Sequence, residues 1–295
     1  MQFDIPVLFI FFNRPSVTRL SFEQIKAKRP KVLFLCSDGG RDPIEHDLVC
    51  SLRNELLSYI DWECTLQTKF ENVNHGCKKN VSDAVLWFFD KVDKGIVIED
   101  DIVVTETFFD FMRNCLEHFK DNENIQMISG YNHGLSSKFE NDLELLPYPI
   151  VWSWASWKDR MVDYRANIKP EDLDLLKNLQ ITENRRVHTY LLRLFQMISQ
   201  GKLDTWDYQL LIPMLKHNRK TVIPRNPLMQ NLGFGKLATH TKYIMRQDSI
   251  ILDWAPKDFS LPSEVNKKLQ RKVEDRFYDG SLIEKIKRKI YNVIQ

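Results

Sequence analysis

Short apolar runs alternate with longer amphipathic stretches through the first hundred residues. Residues 6–12 (PVLFIFF) are apolar throughout, the pattern of a strand buried on both faces, and the turn Asn13-Arg14-Pro15 follows. Ser16 is a suitable N-cap for a helix running to about residue 27. Residues 31–37 (KVLFLCS) predict a second buried strand that ends at Asp38-Gly39-Gly40. Residues 42–58 predict a helix, with Val49, Leu52, Leu56 and Leu57 on one face. A third strand is expected at 63–70, a helix at 80–91 and a fourth strand at 95–99. Strands and helices in this alternation imply a parallel sheet covered on both faces. Ligands of such sheets bind beyond the carboxyl ends of the strands. Three of these strands end in polar loops, which therefore converge on one crevice.

The pattern changes after Asp101. A helix is expected at 105–120 and a short strand at 125–129, then a loop at 130–149 and the tryptophan-rich VWSWASW at 151–157. Helices follow at 185–200 and 206–217, with a short strand at 221–223. Beyond Thr241 the chain turns polar, carries Pro256 and Pro262, and reads as an appendage. Its last stretch, SLIEKIKRKIYNVIQ, places Leu282, Ile283, Ile286, Ile290, Val293 and Ile294 on one helical face with basic residues around it. A helix of that kind either rests peripherally on an anionic membrane or packs against protein.

Composition narrows the class. Hydrophobic residues make up 43% and charged residues 28%, as in ordinary globular proteins. A net charge of +2 makes no electrostatic case for nucleic acid. The five cysteines form no CxxC pair, so they are expected to be reduced and buried. The N-terminal apolar run is too short for a signal segment, and no stretch is long enough to span a bilayer. A cytoplasmic protein is the expectation.

The chemistry centres on Glu99-Asp100-Asp101 at the end of the fourth predicted strand. Adjacent carboxylates at a strand end suit a divalent cation whose shell is completed by substrate phosphates and water. The alternative is a solvated turn in which Asp101 or Thr105 caps the next helix. Arg14 can pair with a diphosphate or stack on a base, and Asp38 can accept from a base N–H or a ribose hydroxyl; each is otherwise an ordinary turn residue. His75-Gly76-Cys77-Lys78-Lys79-Asn80 opens a helix whose amides and lysines suit a phosphate, or form a solvated basic turn. Trp152, Trp154 and Trp157 offer flat faces for sugar rings or fill a core. Asp204 is placed to cap the helix after it, which leaves Asp207 as the better general base on an acceptor hydroxyl. Asn231-Leu232-Gly233-Phe234-Gly235 leads to Ala238-Thr239-His240-Thr241, where His240 is a further metal or diphosphate ligand, or structural. No GxGxxG or GxxxxGK[ST] sequence is present, so hydride chemistry and P-loop hydrolysis are not expected.

Taken in order, PVLFIFFNRPSVTRL, SDG, IVIEDDIVVTETFFDFM, MISGYN, WSWASW and TWDYQL resemble the GT-A nucleotide-sugar glycosyltransferases. The likeness is to the alpha-mannoside beta-1,2-N-acetylglucosaminyltransferase I type and its bacterial relatives, over roughly residues 5–240. It implies an α/β fold of the GT-A kind, with a Rossmann-like, mostly parallel central sheet flanked by helices. A nucleotide-sugar-binding half at 1–101, an acceptor half at 102–240 and a C-terminal helical extension at 241–295 follow from it. It also implies Mn²⁺ (or Mg²⁺) held by Asp101 with His240. By motif position Arg14 and Asp38 would meet the nucleotide, Glu99 and Asp100 the ribose and donor sugar, and Asp207 would be the catalytic base. Asn13 and Lys79 on the nucleotide sugar, and Trp152 and Trp154 as the acceptor or sugar platform, are expected from the residues alone, because the tryptophan segment is not closely similar to the family's. The activity implied is inverting transfer of a sugar, with N-acetylglucosamine as the candidate, from a UDP-sugar to a glycan or glycolipid in bacterial surface polysaccharide synthesis. Sugar nucleotidyl transfer and non-catalytic nucleotide or glycan binding are the alternatives.

Overall fold

In the computed structural model of the chain, residues 2–136, 139–179, 181–233 and 253–278 are described. The mixed α/β architecture is built on an eight-stranded sheet in the order β3-β2-β1-β4-β8-β6-β9-β7. Its first four members are β1 (Val7–Phe11), β2 (Val32–Ser37), β3 (Thr65–Phe70) and β4 (Lys94–Glu99), all mutually parallel. Helices α1 (Pro15–Lys28), α2 (Pro43–Ser58) and α3 (Cys77–Lys91) connect them. The apolar runs are strands because both faces are covered. Val7, Phe9 and Phe11 meet Phe22, Ile25, Leu52 and Leu56 on one side. Leu8 and Ile10 meet Val81, Ala84, Val85 and Phe88 on the other. Burying each such side chain contributes about 1.5–3 kcal/mol.

From β1 the chain steps outward to β2 and β3, then crosses back so that β4 pairs with the other edge of β1. The strand order reverses at this point, and a crevice opens beyond the carboxyl ends of β1 and β4. Past β4 the sheet becomes mixed. β8 (Trp154–Trp157) lies antiparallel between β4 and β6 (Ile125–Ser129). Beyond it, β9 (Lys220–Pro224) runs parallel to β6, and β7 (Leu143–Leu146) is the antiparallel edge. A separate ribbon pairs β5 (Ile102–Val104) with β10 (Met229–Asn231).

Several expectations change here. The loop foreseen at 130–149 contains β7, and the tryptophan segment is an interior strand. The helix expected at 206–217 is a 3-10 turn, Tyr208–Leu210, followed by α7 (Leu211–Lys216). Pro213 has no amide to donate and is accommodated only in a first helical turn, so one continuous helix cannot pass through it. Helices α4 (Phe108–His118), α5 (Pro170–Asn178) and α6 (Arg185–Ser199) cover the second half.

Of the stretch beyond Thr241, expected as a C-terminal extension, the described residues 253–278 pack against the body of the molecule. Asp253 accepts from the Thr107 amide at 3.1 Å, and Leu269 and Val273 of α8 (Lys267–Val273) are fully buried. Glu274 accepts from Tyr148, Thr182 and Gln270 at 2.5, 2.7 and 2.7 Å. Among the described residues no helix is long and apolar enough to cross a membrane. The basic amphipathic stretch at 281–295 lies outside the described residues. The five cysteines are separate thiols; Cys36 and Cys115 are buried, whereas Cys50, Cys64 and Cys77 are only partly so.

Candidate active site

A cavity of about 340 Å³ opens at the crevice between β1 and β4. Ile10, Phe12, Arg14, Asp38, Glu99, Asp100, Asp101, Trp152, Asp204 and Gly233 are among the residues that line it. The register explains the first contacts: Ile10 is paired with Glu99, so the next residues of each strand leave the sheet side by side. Arg14 of the first loop then bridges to the second, with Nη2 on Asp100 and Nη1 on Asp101 Oδ2 at 3.2 Å.

The three acids of the turn differ in their surroundings. Asp100 is 3% exposed and also accepts from the Phe12 amide at 3.1 Å and the Thr18 hydroxyl at 3.3 Å. Its backbone carbonyl takes the Ser21 hydroxyl at 2.8 Å. Asp100 thus ties the acid turn to the start of α1. Asp101 meets Arg14 alone among the described side chains, while its carbonyl accepts from Leu232 at 2.7 Å. Burial, then the Asp100 charge, raises the Asp101 pKa against the pull of Arg14. Glu99 has no hydrogen-bond donor among the described residues. Burial pushes its pKa well up, and Asp101, Asp100 and Asp207 add to the shift.

Asp38 accepts from the amides of Gly39, His75 and Gly76 at 3.0, 2.9 and 2.9 Å. Its carboxylate thereby shapes the loop that enters α3 while still facing the cavity. Burial is the largest influence on it and raises its pKa, with the three amide bonds opposing. The amides at the start of α3 are not open to a phosphate. Asp204, expected to cap the helix after itself, instead accepts from Cys77 N at 3.0 Å and Lys78 N at 2.9 Å. It reaches them across Gly76, whose φ of +81° favours glycine.

Other expected site residues lie apart from the cavity. Asn13 donates to Glu45 at 2.6 Å, bracing the first loop against α2. Lys79 pairs with Asp83 one helical turn on. On α3 the positions facing the cavity are Cys77, Asn80 and Val81, a helical i, i+3, i+4 set that leaves Lys79 outside. Trp154 is fully buried between Phe89 and Trp206, so its ring cannot receive a sugar. Trp152 does line the cavity, packed on Tyr131 at 4.8 Å. Ser153 between the two tryptophans has φ +51°, and this left-handed residue breaks the alternation that would have buried both. Asp207 precedes the 3-10 turn and accepts from the Thr205 hydroxyl. It is not part of the cavity lining, but its charge reaches Glu99.

Hard oxygen ligands for a cation are present at the acid turn. Burial first, then the neighbouring carboxylates, raises the pKa values of Glu99 and Asp101 against the pull of the one guanidinium beside them. Among the described residues no three His, Cys, Asp or Glu side chains close into a metal cage. A divalent ion at this turn would take one or two of these carboxylates, with phosphate and water completing its shell. His240 lies outside the described residues. Missed from sequence were the lining residues Arg41, Asn74 and Asn80, and the closeness of Gly233. A Cβ at Gly233 would stand 1.9 Å from Asp101 Oδ2, and only glycine allows that approach. The Asn-Leu-Gly sequence carried the signal; its pairing with Asp101 did not show.

No family model matches the chain. It is 26% identical over 132 residues to a probable cytosol aminopeptidase of Blochmanniella floridana. That match covers 41% of this chain and 25% of the other, so the chain spans about a quarter of that relative's length. A mannosyltransferase of Pyrobaculum calidifontis, in complex with GDP-mannose and Mn²⁺, superposes with a TM-score of 0.41. Identity is 9%, covering 72% of this chain and 68% of that one. The apo form of mouse xyloside xylosyltransferase 1 gives a TM-score of 0.34 at 10% identity, covering 74% and 84%. Nucleotide-sugar glycosyltransferases are thus among the solved structures this chain is similar to.

Proposed function

We propose that this chain is a metal-dependent glycosyltransferase that moves a sugar from a nucleoside-diphosphate donor to an acceptor hydroxyl. The observation that carries the reading is the meeting of Arg14, Asp38 and the acid turn Glu99-Asp100-Asp101 around one cavity at the point where the strand order reverses. Asp101 would hold the divalent cation, which when bound would supply Lewis-acid neutralisation of the departing diphosphate. Asp38 and the loop it shapes form the wall for the nucleoside. Glu99 faces the donor's sugar, and Arg14 meets its phosphates. Trp152, supported by Tyr131, is the platform for the acceptor. Asp207 takes the proton of the acceptor hydroxyl as its oxygen bonds the anomeric carbon and the nucleoside diphosphate departs from the opposite face, so the carbon is inverted. UDP-N-acetylglucosamine is the donor suggested by the sequence resemblance, and a surface glycan or glycolipid the acceptor.

The test is a panel of nucleotide sugars incubated with Mn²⁺ and the full chain, reading the released nucleotide and phosphate species. Release of nucleoside diphosphate supports glycosyl transfer, and release of pyrophosphate from sugar phosphate and nucleoside triphosphate supports nucleotidyl transfer instead. Asp207→Asn should bind donor as the wild type does and lose about 10²–10⁴-fold in turnover. Near-wild-type turnover by that variant removes Asp207 as the base.

A further inference from the structure

Arg14 pairs with two acids of the turn, and its two contacts are unequal. The Asp100 end is sealed, with the Asp100 side chain 5% exposed and also held by the Phe12 amide and the Thr18 hydroxyl. The Asp101 end is open. Asp101 and Arg14 keep 18% and 21% of their side-chain surface, both line the cavity, and the Nη1 contact is a looser 3.2 Å. Asp100 would therefore keep its place without the guanidinium, whereas Asp101 depends on it for neutralisation. The missing Cβ of Gly233 lets the Asp101 carboxylate lie close against the backbone at 233, which fixes where Oδ2 stands.

We propose that Arg14 is a stand-in cation, occupying Asp101 in the metal-free protein and giving up that contact when a divalent ion arrives. This rests on the metal-dependent reading above. A metal ion and a guanidinium compete for the same carboxylate oxygen, because two positive groups on one oxygen repel at a few ångströms in a partly desolvated site. Released from Asp101, the Nη1 arm turns into the cavity, where it meets the donor's diphosphate with the planar fork suited to phosphate. Metal and donor binding are then coupled through one side chain. The arginine blocks the seat in the absence of donor and strengthens the complex in its presence.

Mn²⁺ titration of the full chain without nucleotide, followed by the electron paramagnetic resonance of free Mn²⁺, tests the exchange. Arg14→Gln should bind Mn²⁺ about tenfold tighter than the wild type, while Arg14→Lys stays near it. With Mn²⁺ saturating, the same Arg14→Gln protein should bind the nucleoside diphosphate about tenfold more weakly by calorimetry. A role confined to holding the turn in place predicts the opposite first result, with weaker Mn²⁺ binding by Arg14→Gln. That outcome, or an unchanged affinity, overturns the proposal while leaving the metal site standing. If Mn²⁺ binds neither protein without nucleotide, the stand-in role falls; if it binds neither with nucleoside diphosphate present, the metal-dependent reading falls as well. Melting curves of each variant identify any loss of fold.

Discussion

Glu99 at the end of β4, half-buried in the cavity wall, and Glu274 in the turn after α8, fully buried, are acids that the chain treats in opposite ways. Glu274 is 1% exposed and collects three donors, from Tyr148, Thr182 and Gln270. Glu99 has none among the described residues and has Asp100, Asp101 and Asp207 for electrostatic neighbours. A buried carboxylate with satisfied oxygens joins parts of the fold; here it links the 253–278 stretch to the loops holding Tyr148 and Thr182. A carboxylate left among like charges costs stability and is retained where a ligand supplies the missing cation or donor. The contrast separates a structural acid from an acid kept for chemistry.

Breaking the satisfied side of this comparison should have the largest effect. Glu274→Ala leaves the Tyr148 and Thr182 hydroxyls and the Gln270 amide without their shared acceptor. It should lower stability by about 2–4 kcal/mol, read as a lower urea midpoint with unchanged slope. Gly233→Ala strikes the other side. Its methyl must displace the Asp101 carboxylate or the Asn231 side chain, which costs about 1–3 kcal/mol. Mn²⁺ affinity should fall with it, as measured by the same titration used for Arg14.

Glu99→Gln should go the other way and stabilise the metal-free protein at neutral pH by about 1 kcal/mol. The sign follows from linkage. The folded state raises the Glu99 pKa above its ordinary value of 4.5, so it holds the proton more tightly than the unfolded chain does. The stability this contributes is complete below pH 4.5 and is lost as pH rises through the folded value. Melts in EDTA from pH 4 upward should therefore show the variant gaining on the wild type as pH increases. A constant difference across that range would mean that Glu99 is not the strained group. The smallest effect belongs to Lys79→Ala, whose exposed pair with Asp83 is worth less than about 0.5 kcal/mol. Donor affinity should not change in that variant.

The two halves of the sheet differ in how much of them was legible in the sequence. Strands β1, β2 and β4 and helices α1 and α2 were readable to within a residue or two, because burial on both faces leaves unbroken apolar runs between turn residues. In the second half β6, β9 and α6 were readable likewise, whereas β7, β8 and β10 were not, since those strands are placed by distant partners. Nothing local in WSWASW says that it inserts antiparallel between β4 and β6, or that Ser153 turns left-handed and sends Trp152 and Trp154 to different places. The start of α3 was missed for a similar reason, as its cap is Asp204, 127 residues from Cys77. At the site, the residues around the cavity that sequence reasoning named are those at strand ends, namely Arg14, Asp38 and the acid turn. Lys79 and Asn13 were misplaced because charge and proximity in sequence do not tell which side of a helix or turn a side chain takes.

The central claim is that the acid turn seats a divalent cation which, with the cavity, binds a nucleoside diphosphate. Isothermal titration of UDP into the full chain, with Mn²⁺ and then with EDTA, tests it most directly when Asp101→Asn is run alongside. The account predicts UDP binding to the wild type in Mn²⁺, abolished by EDTA and by the Asp101 substitution. UDP binding that is equal in Mn²⁺ and EDTA, and that survives Asp101→Asn, would contradict it.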